Sequence, residues 1–309
     1  VLTSNCNDIF ADMNLISLWS LRQSNPDAHV SIIVDTLTMQ NLVSKRHPIL
    51  KESCEFIEIN SSHESPAFRN RSIKTQIRKY IDGAFLYLDA DTIICKNLSL
   101  LFNIKSLVAG VPNYNGKGDC SEIPSNEKEI LQEMNWEVCP DHYTNGGVLF
   151  MADHPDVHDF CSIWHKRWTE RLQKTGMYFD QPALNQALHE SCVDFSWLPH
   201  KYNAQVSARP CTAANAAIWH IYSSRKSKQP KNVLNDLIQK KRQGITVSQI
   251  SLADVCSKKH PWIINNLIDK HAVSKIQSSC GLVKFYSWEW LWLCGKYFQA
   301  TKAAFRSIF

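Results

Sequence analysis

The sequence predicts an α/β fold, a mostly parallel sheet flanked by helices. Three observations predict it. Short apolar runs alternate with stretches of helical spacing through the first half of the chain. Those runs end in polar residues, at the strand ends where open α/β sheets hold ligands. One run, Ala84–Phe85–Leu86–Tyr87–Leu88, passes straight into Asp89–Ala90–Asp91 and on to Thr92–Ile93–Ile94, as a strand buried on both faces does. With 309 residues, 44% apolar and 20% charged, the chain can bury one large α/β domain or two smaller ones.

The elements follow in order. Val1–Asn5 is a β-type run with a small polar end, which makes Thr3, Ser4, Asn5 and Asp8 candidates to touch a base or ribose. Asn5 and Asp8 serve equally well as turn and N-cap residues. Ile9, Met13, Ile16, Leu18 and Leu21 have helical spacing. Val30–Val34 reads as a second strand ending at Asp35, residues 38–46 as a helix, and Phe56–Ile59 as a third strand. After a loop at 61–66, Arg69, Arg71, Lys74, Arg78 and Lys79 interleave with Ile73, Ile77 and Tyr80. Arg71, Lys74 and Arg78 then form one basic stripe. Such stripes are commonly solvated, but this one leads directly into the aspartate strand, where a cation can reach a bound phosphate or sugar. In an extended segment Asp89 and Asp91 point the same way and can share one hard cation, with Ala90 leaving room for a ligand. The plain alternative is a solvated acidic turn.

Leu107–Val111 reads as a further strand. Residues 112–144 are loop-rich, with a helical patch at Glu127–Met134, and a long insertion of this kind usually forms a lid or binding loop. Asn145–Gly146–Gly147 enters the apolar strand Val148–Met151, and paired glycines there suggest a close backbone approach. Pro155–Lys174 is amphipathic, Asp180–Gln181–Pro182 opens another helix, and Phe195–Pro199 and Ala217–Tyr222 are short apolar strands. His220 sits in the second of these, before a cationic loop with Arg225, Lys226 and Lys228. It reads either as a satisfied core histidine or as a metal ligand. His154, Asp156 and His158, and Cys256 with His260, read as surface.

Net charge +5 suits a phosphorylated small molecule or an anionic membrane surface and does not call for nucleic acid. The 11 cysteines are odd in number, scattered and without a C-x-x-C pair, a pattern of free thiols in a reducing compartment. No signal-peptide pattern opens the chain, which starts inside a strand, so an initiator methionine or a longer upstream region is expected. No run of eighteen or more apolar residues offers a membrane span. The expected location is cytoplasmic. Residues 284–309 mix aromatics with Lys284, Lys296, Lys302 and Arg306, which suits either a packed helix or one lying on the inner face of a membrane.

Taken together, the chain resembles the GT-A-fold glycosyltransferases, and within them the family 8 sugar transferases of surface-polysaccharide assembly. The likeness rests on ordered landmarks: Val1–Asn5, Arg71 with Lys74, Phe85–Asp91, Asn145–Gly147, Asp180–Gln181 with Leu184–Asn185, Leu198–Pro199 with Tyr202–Asn203, and His220 with Lys226. It covers about residues 1–228, which implies a GT-A catalytic domain with a nucleotide-binding half (1–111) and a donor-sugar and acceptor half (112–228). A helical C-terminal region, 229–309, follows. The resemblance implies a Mn²⁺ (or Mg²⁺) ion held by Asp89, Asp91 and His220 against a nucleotide-sugar diphosphate, with a UDP-hexose as donor, a saccharide or glycolipid as acceptor and retention at the anomeric carbon. Thr3, Ser4, Asn5, Asp8 and Ala90 would lie along the nucleotide. Arg71, Lys74 and Lys226 would neutralise the pyrophosphate, and Asn145, Asp180 and Gln181 would line the sugar and reacting carbon. Activation of the acceptor by Asp180 would instead permit inversion. Two places depart from the family pattern: Asn145–Gly146–Gly147 replaces the more usual small-residue version with alanine, and the 220–226 loop lacks the usual glycine and Pro-Trp ending, so Arg225 could replace Lys226.

A competing class remains. Asp89-x-Asp91-x follows the first part of a haloacid-dehalogenase-type phosphohydrolase motif, in which Asp89 would be a nucleophile. That chemistry needs a downstream acidic pair, and no D-D or G-D-x-x-x-D follows.

Overall fold

The computed structural model describes residues 1–3, 9–43, 54–61, 65–113, 123–138, 143–205, 215–222, 232–246 and 250–256. Ser4, Asn5, Asp8, Arg225, Lys226, His260 and the aromatic stretch 284–309 lie outside these residues.

The α/β architecture expected from the sequence is present. Helix α1 (Phe10–Ser24) precedes the parallel pair β1 (Ser31–Asp35) and β2 (Glu55–Ile59), which are joined through α2 (Thr36–Val43). Asp35 ends β1 and caps α2, accepting from the Thr38 backbone N–H at 2.9 Å. Leu2 adds one parallel bridge to Val34, so the first expected strand is a single ladder rung among the described residues.

Next come α3 (Pro66–Thr75) and a 3₁₀ turn, Ile77–Lys79. The basic stripe of the sequence reading is divided here. The helix stops at Thr75, and Arg78 turns inward to donate to the Gly83 carbonyl at 2.7 Å and to the Ile81 carbonyl. Lys74 and Arg78 are buried and Arg71 is half-buried, so the stripe is not a solvated face.

The strand read as continuous from 84 to 94 is two strands in two sheets. β3 (Phe85–Leu88) pairs antiparallel with β6 (Thr144–Met151), while β4 (Thr92–Ile94) pairs antiparallel with β9 (Ile218–His220). Between them Asp89–Asp91 forms a turn. Asp89 donates its N–H to the Gly147 carbonyl at 2.8 Å, the Thr92 hydroxyl donates to the Asp89 carbonyl at 2.8 Å, and Ile221 N–H donates to the Asp91 carbonyl at 2.8 Å. The two carboxylates therefore converge through a turn held from both sides, not through alternation along a strand.

Pairing is mixed. The sheet β3-β6-β5-β7 places β6 between β3 and β5 (Val108–Pro112), antiparallel to both, with β7 (Phe195–Trp197) parallel to β5. β8 (Ala204–Gln205) lies parallel to β9. β6 is buried at all eight positions, and its register against β5 jumps from Gly110↔Leu149 to Val111↔Asn145. A bulge of this kind bends a strand and re-aims its side chains, here at Asn145–Val148.

Helix α4 (Ser125–Met134) lies within the expected insertion and begins at Ser125. Helix α5 (Pro155–Thr175) buries Phe160, Trp164 and Trp168, each about 1.5–3 kcal/mol of apolar transfer. Its Trp164 and Trp168 indole N–H groups donate to the Asp180 and Tyr178 carbonyls at 3.2 and 3.0 Å. These bonds pin the chain entering α6 (Gln181–Ser191), where Pro182 sits in the first turn as expected. α7 (Val233–Arg242) packs its Leu234, Leu237 and Ile238 into one cluster with Met13, Ile16, Ile93 and Trp219, and α8 (Leu252–Cys256) joins them through Leu252 and Val255. Asp12 of α1 takes Lys241 and Arg242 of α7 at 2.8 Å each. No helix among the described residues is long and apolar enough to cross a membrane.

Candidate active site

Asp89 and Asp91 at the inter-sheet turn and His220 at the end of β9 meet, one ligand atom from each lying within 4.8 Å of the others. The imidazole Nε2 is 3.3 Å from Asp91 Oδ1 and 3.9 Å from Asp89 Oδ2. Two oxygens and one imidazole nitrogen form a donor set that fits a Mn²⁺-type ion. Burial alone would push the imidazole down, but Asp91 and Asp89 hold it above its ordinary range. Burial likewise works against an ionised Asp89, yet Lys74, Arg71 and His220 hold it well below the usual carboxylate range. Tyr87 OH also donates to Asp89 Oδ1 at 2.6 Å.

One wall of the site is ionic. Lys74 Nζ lies 3.4 Å from Asp89 Oδ1 and 3.1 Å from Asp180 Oδ2, while Arg71 Nε lies 3.0 Å from Asp180 Oδ1. Lys74 is the deeper cation, its side chain 3% exposed against 27% for Arg71. Asp180 stands at the N-terminus of α6 without capping it, since its carboxylate is turned to these cations. Against burial, Arg71 and Lys74 hold it below the ordinary range, which makes it a poor proton acceptor. Three carboxylates thus face two fixed cations, and a divalent ion would turn the local charge positive.

The other wall is made of amides. Asn145 Oδ1 accepts from Gly147 N–H at 3.0 Å and from Asn203 Nδ2 at 2.9 Å. Asn145 Nδ2 donates to Asn113 Oδ1 at 3.0 Å and to Gln181 Oε1 at 3.3 Å. Gln181 Oε1 also accepts from Gly146 N–H at 3.4 Å, and Gln181 Nε2 donates to both Glu127 oxygens at 3.1 and 3.3 Å. Tyr143 OH donates to the same carboxylate. Burial raises Glu127, opposed by the Tyr143 and Gln181 hydrogen bonds. Asn203 Oδ1 meets His220 Nδ1 at 2.9 Å, so the two walls join at the imidazole.

The glycines explain the close approach. A Cβ on Gly147 would sit 2.3 Å from His220 Cε1, an impossible contact. On Gly146 the nearest atom would be Leu184 Cδ2 at 3.3 Å, tight but adjustable. A side chain is therefore barred at position 147 and tolerable at 146.

Of the residues singled out from the sequence, Arg71, Lys74, Asp89, Ala90, Asp91, Asn145, Asp180, Gln181 and His220 come together. Thr3 is 4% exposed, with its hydroxyl donated to the Pro66 carbonyl at 2.7 Å, inside the fold. Sequence reasoning assigned no role to Glu127, Asn113, Tyr87 or Asn203. Only the places of Tyr87 within Phe85–Asp91 and of Asn203 after Tyr202 hinted at two of them. His154 and His158 are near-surface partners of Asp156 and Asp153, as expected. The phosphohydrolase alternative is not supported. Among the described residues, the group joining Asp89 and Asp91 is an imidazole and not a further acidic pair.

Residues 2–238 match the family described as Glycosyl transferase family 8, a match that runs past the expected boundary at 228. No curated protein matches the chain. Among solved structures, the galactosyltransferase LgtC in complex with donor and acceptor sugar analogs is 13% identical, with a TM-score of 0.48, over 87% of this chain and 97% of that one. Mouse xyloside xylosyltransferase 1, in its apo form, is 12% identical with a TM-score of 0.47, over 71% and 94%. The apo glycosyltransferase GlyE of Streptococcus pneumoniae TIGR4 is 16% identical with a TM-score of 0.51, over 82% of this chain and 62% of that one. At such identities the likeness is one of fold, that of the GT-A glycosyltransferases.

Proposed function

Because the chain belongs to glycosyl transferase family 8, and is a glycosyltransferase, we propose that it moves a hexosyl group from a UDP-linked donor to a saccharide or glycolipid acceptor, with Mn²⁺ (or Mg²⁺) and with retention. The observation that carries this reading is the Asp89, Asp91 and His220 set beside Lys74 and Arg71. When bound, the ion supplies Lewis-acid stabilisation of the leaving diphosphate.

The chain's own residues do the rest. Asp89, Asp91 and His220 would hold the ion. Lys74 and Arg71 place positive charge where the diphosphate gains negative charge as the bond to the anomeric carbon breaks. Asp180 keeps both cations in place, and its lowered proton affinity favours retention over base-assisted inversion. Gln181 and Asn145 would line the sugar face. The same reading takes 1–228 as the catalytic unit, in a reducing cytoplasmic setting, with 284–309 resting on an anionic inner membrane face. Sedimentation of the chain with anionic but not neutral vesicles checks that last point.

The deciding experiment is a thermal-shift and hydrolysis panel of UDP-, GDP- and CDP-sugars, with and without Mn²⁺, on wild type and Asp91→Ala. Mn²⁺-dependent stabilisation and slow hydrolysis by UDP-hexoses, lost in the variant, are expected. Equal response without metal, or response confined to another nucleotide, would sink the reading.

A further inference from the structure

We infer that Asn203 and Glu127 are positioning residues that act on His220 through one hydrogen-bonded chain of fixed polarity. The chain runs His220 Nδ1 to Asn203 Oδ1, Asn203 Nδ2 to Asn145 Oδ1, Asn145 Nδ2 to Gln181 Oε1, and Gln181 Nε2 to Glu127. Every link donates in the same direction, away from the metal-facing imidazole and towards the α4 carboxylate.

The direction follows from groups that cannot flip. A backbone N–H only donates. Gly147 N–H meets Asn145 Oδ1, and Gly146 N–H meets Gln181 Oε1, so each of those amides has its oxygen end fixed. Asn145 Oδ1 only accepts, so Asn203 must present Nδ2 to it and Oδ1 to His220. That oxygen requires a proton on His220 Nδ1. With Nδ1 committed to Asn203, the proton between Nε2 and the Asp91 and Asp89 carboxylates is the one the ring releases, and a cation held by the two carboxylates would take its place on the Nε2 lone pair. At the far end a carboxylate accepts from both Gln181 and Tyr143, so the last donor is satisfied only if the whole chain keeps this sense. Asn203 is 0% exposed, so no solvent competes for its amide. Hydrogen bonds of one sense polarise one another. The second ring nitrogen of a metal-binding histidine commonly sets both tautomer and ligand strength in this way. Here the setting group is an amide, and its orientation is anchored on a residue of the insertion 54 positions before Gln181.

The inference rests on the proposed metal reading only for its affinity measurement. The first test is the His220 tautomer in ¹⁵N-labelled, metal-free full chain, read from long-range ¹H–¹⁵N spectra at a pH where the imidazole is neutral. The Nδ1–H form is expected in wild type and in Asn203→Asp, which still accepts that proton. A mixture or the Nε2–H form is expected in Asn203→Leu. The second test titrates Mn²⁺ against each protein, following free Mn²⁺ by electron paramagnetic resonance. Affinity should fall about 10–100-fold in Asn203→Leu. It should fall less in Glu127→Leu, which strands the Gln181 amide, and be recovered in Glu127→Gln, which still accepts from it. An Nε2–H imidazole in wild type would overturn the inference even if the substituted proteins failed to fold. Unchanged Mn²⁺ affinity in a folded Glu127→Leu would remove that residue from the chain. Absence of Mn²⁺ binding in wild type would sink the metal reading and leave the tautomer result to decide this one.

Discussion

The two walls of the site use opposite chemistry for the same task. The ionic wall holds Asp89 and Asp180 with Lys74 and Arg71, and its strength depends on keeping charges paired out of water. The amide wall holds Gln181, Asn145 and Asn203 with neutral groups whose order comes from donors and acceptors that cannot be exchanged. The first sets the local charge. The second sets the direction in which groups point.

The largest expected effect breaks the ionic wall. Lys74→Ala leaves two carboxylates without their buried cation and should destabilise the protein by about 3–5 kcal/mol, read from chemical denaturation. On the other wall, Asn113→Ala strands only one amide donor of Asn145 and should cost about 1–3 kcal/mol in the same measurement. Equal losses would mean that the walls do not differ as described.

Next in size is the glycine pair, tested by steady-state transfer kinetics. Gly147→Ala drives a methyl group into the His220 ring and should lower kcat/KM by about 10²-fold, the scale of an ångström-size misplacement. Gly146→Ala presses only on the flexible end of Leu184, its contacts with Lys74 Nζ and Asp180 Oδ2 being of ordinary length, and should stay within about threefold, because a loss of 1.4 kcal/mol would already be tenfold.

The smallest effect is in pH, and here the walls should have opposite signs. Asp180 is lowered in the folded state, so its stabilisation is present above the unfolded value of 3.8 and is lost as pH falls through the folded one. Glu127 is raised, so the folded state binds its proton more tightly, and stability declines as pH climbs from the unfolded value of 4.5 through the folded one. Thermal unfolding of Glu127→Gln against wild type should therefore shift in favour of the variant as pH passes 4.5. Asp180→Asn should instead lose ground to wild type as pH rises through the acid range. A common sign for both would refute the contrast.

The ionic wall was legible in the sequence because its residue types are conspicuous. A D-x-D after an apolar run and two cations three residues apart both narrow the chemistry. What the pattern did not show was burial. Arg78 has the same helical spacing as Arg71 and Lys74, but the helix ends at Thr75 and the guanidinium is spent on carbonyls of the next turn. The break between β3 and β4 was equally hidden, because residues 89–91 contain no glycine or proline to announce a turn, and long-range bonds to Gly147 and Ile221 make it. The amide wall was mostly silent. Asparagine and glutamine are ordinary in loops, and nothing local to Glu127 tells that it meets Gln181. Polarity of a hydrogen-bond chain is a property of partners, and partners distant in sequence leave no periodicity to read.

The turn at Asp89–Asp91 leaves one sheet and enters another, and His220 belongs to the second. A cation held by all three would be fastened across that junction, and so would act on how the molecule comes apart. Saturation at one hundred times Kd adds about 2.7 kcal/mol to the native state. Spread over two sheets, that increment would merge their opening into a single cooperative unit. Amide exchange in β6 and β9 should then run at separate rates without Mn²⁺ and at one shared, slower rate with it.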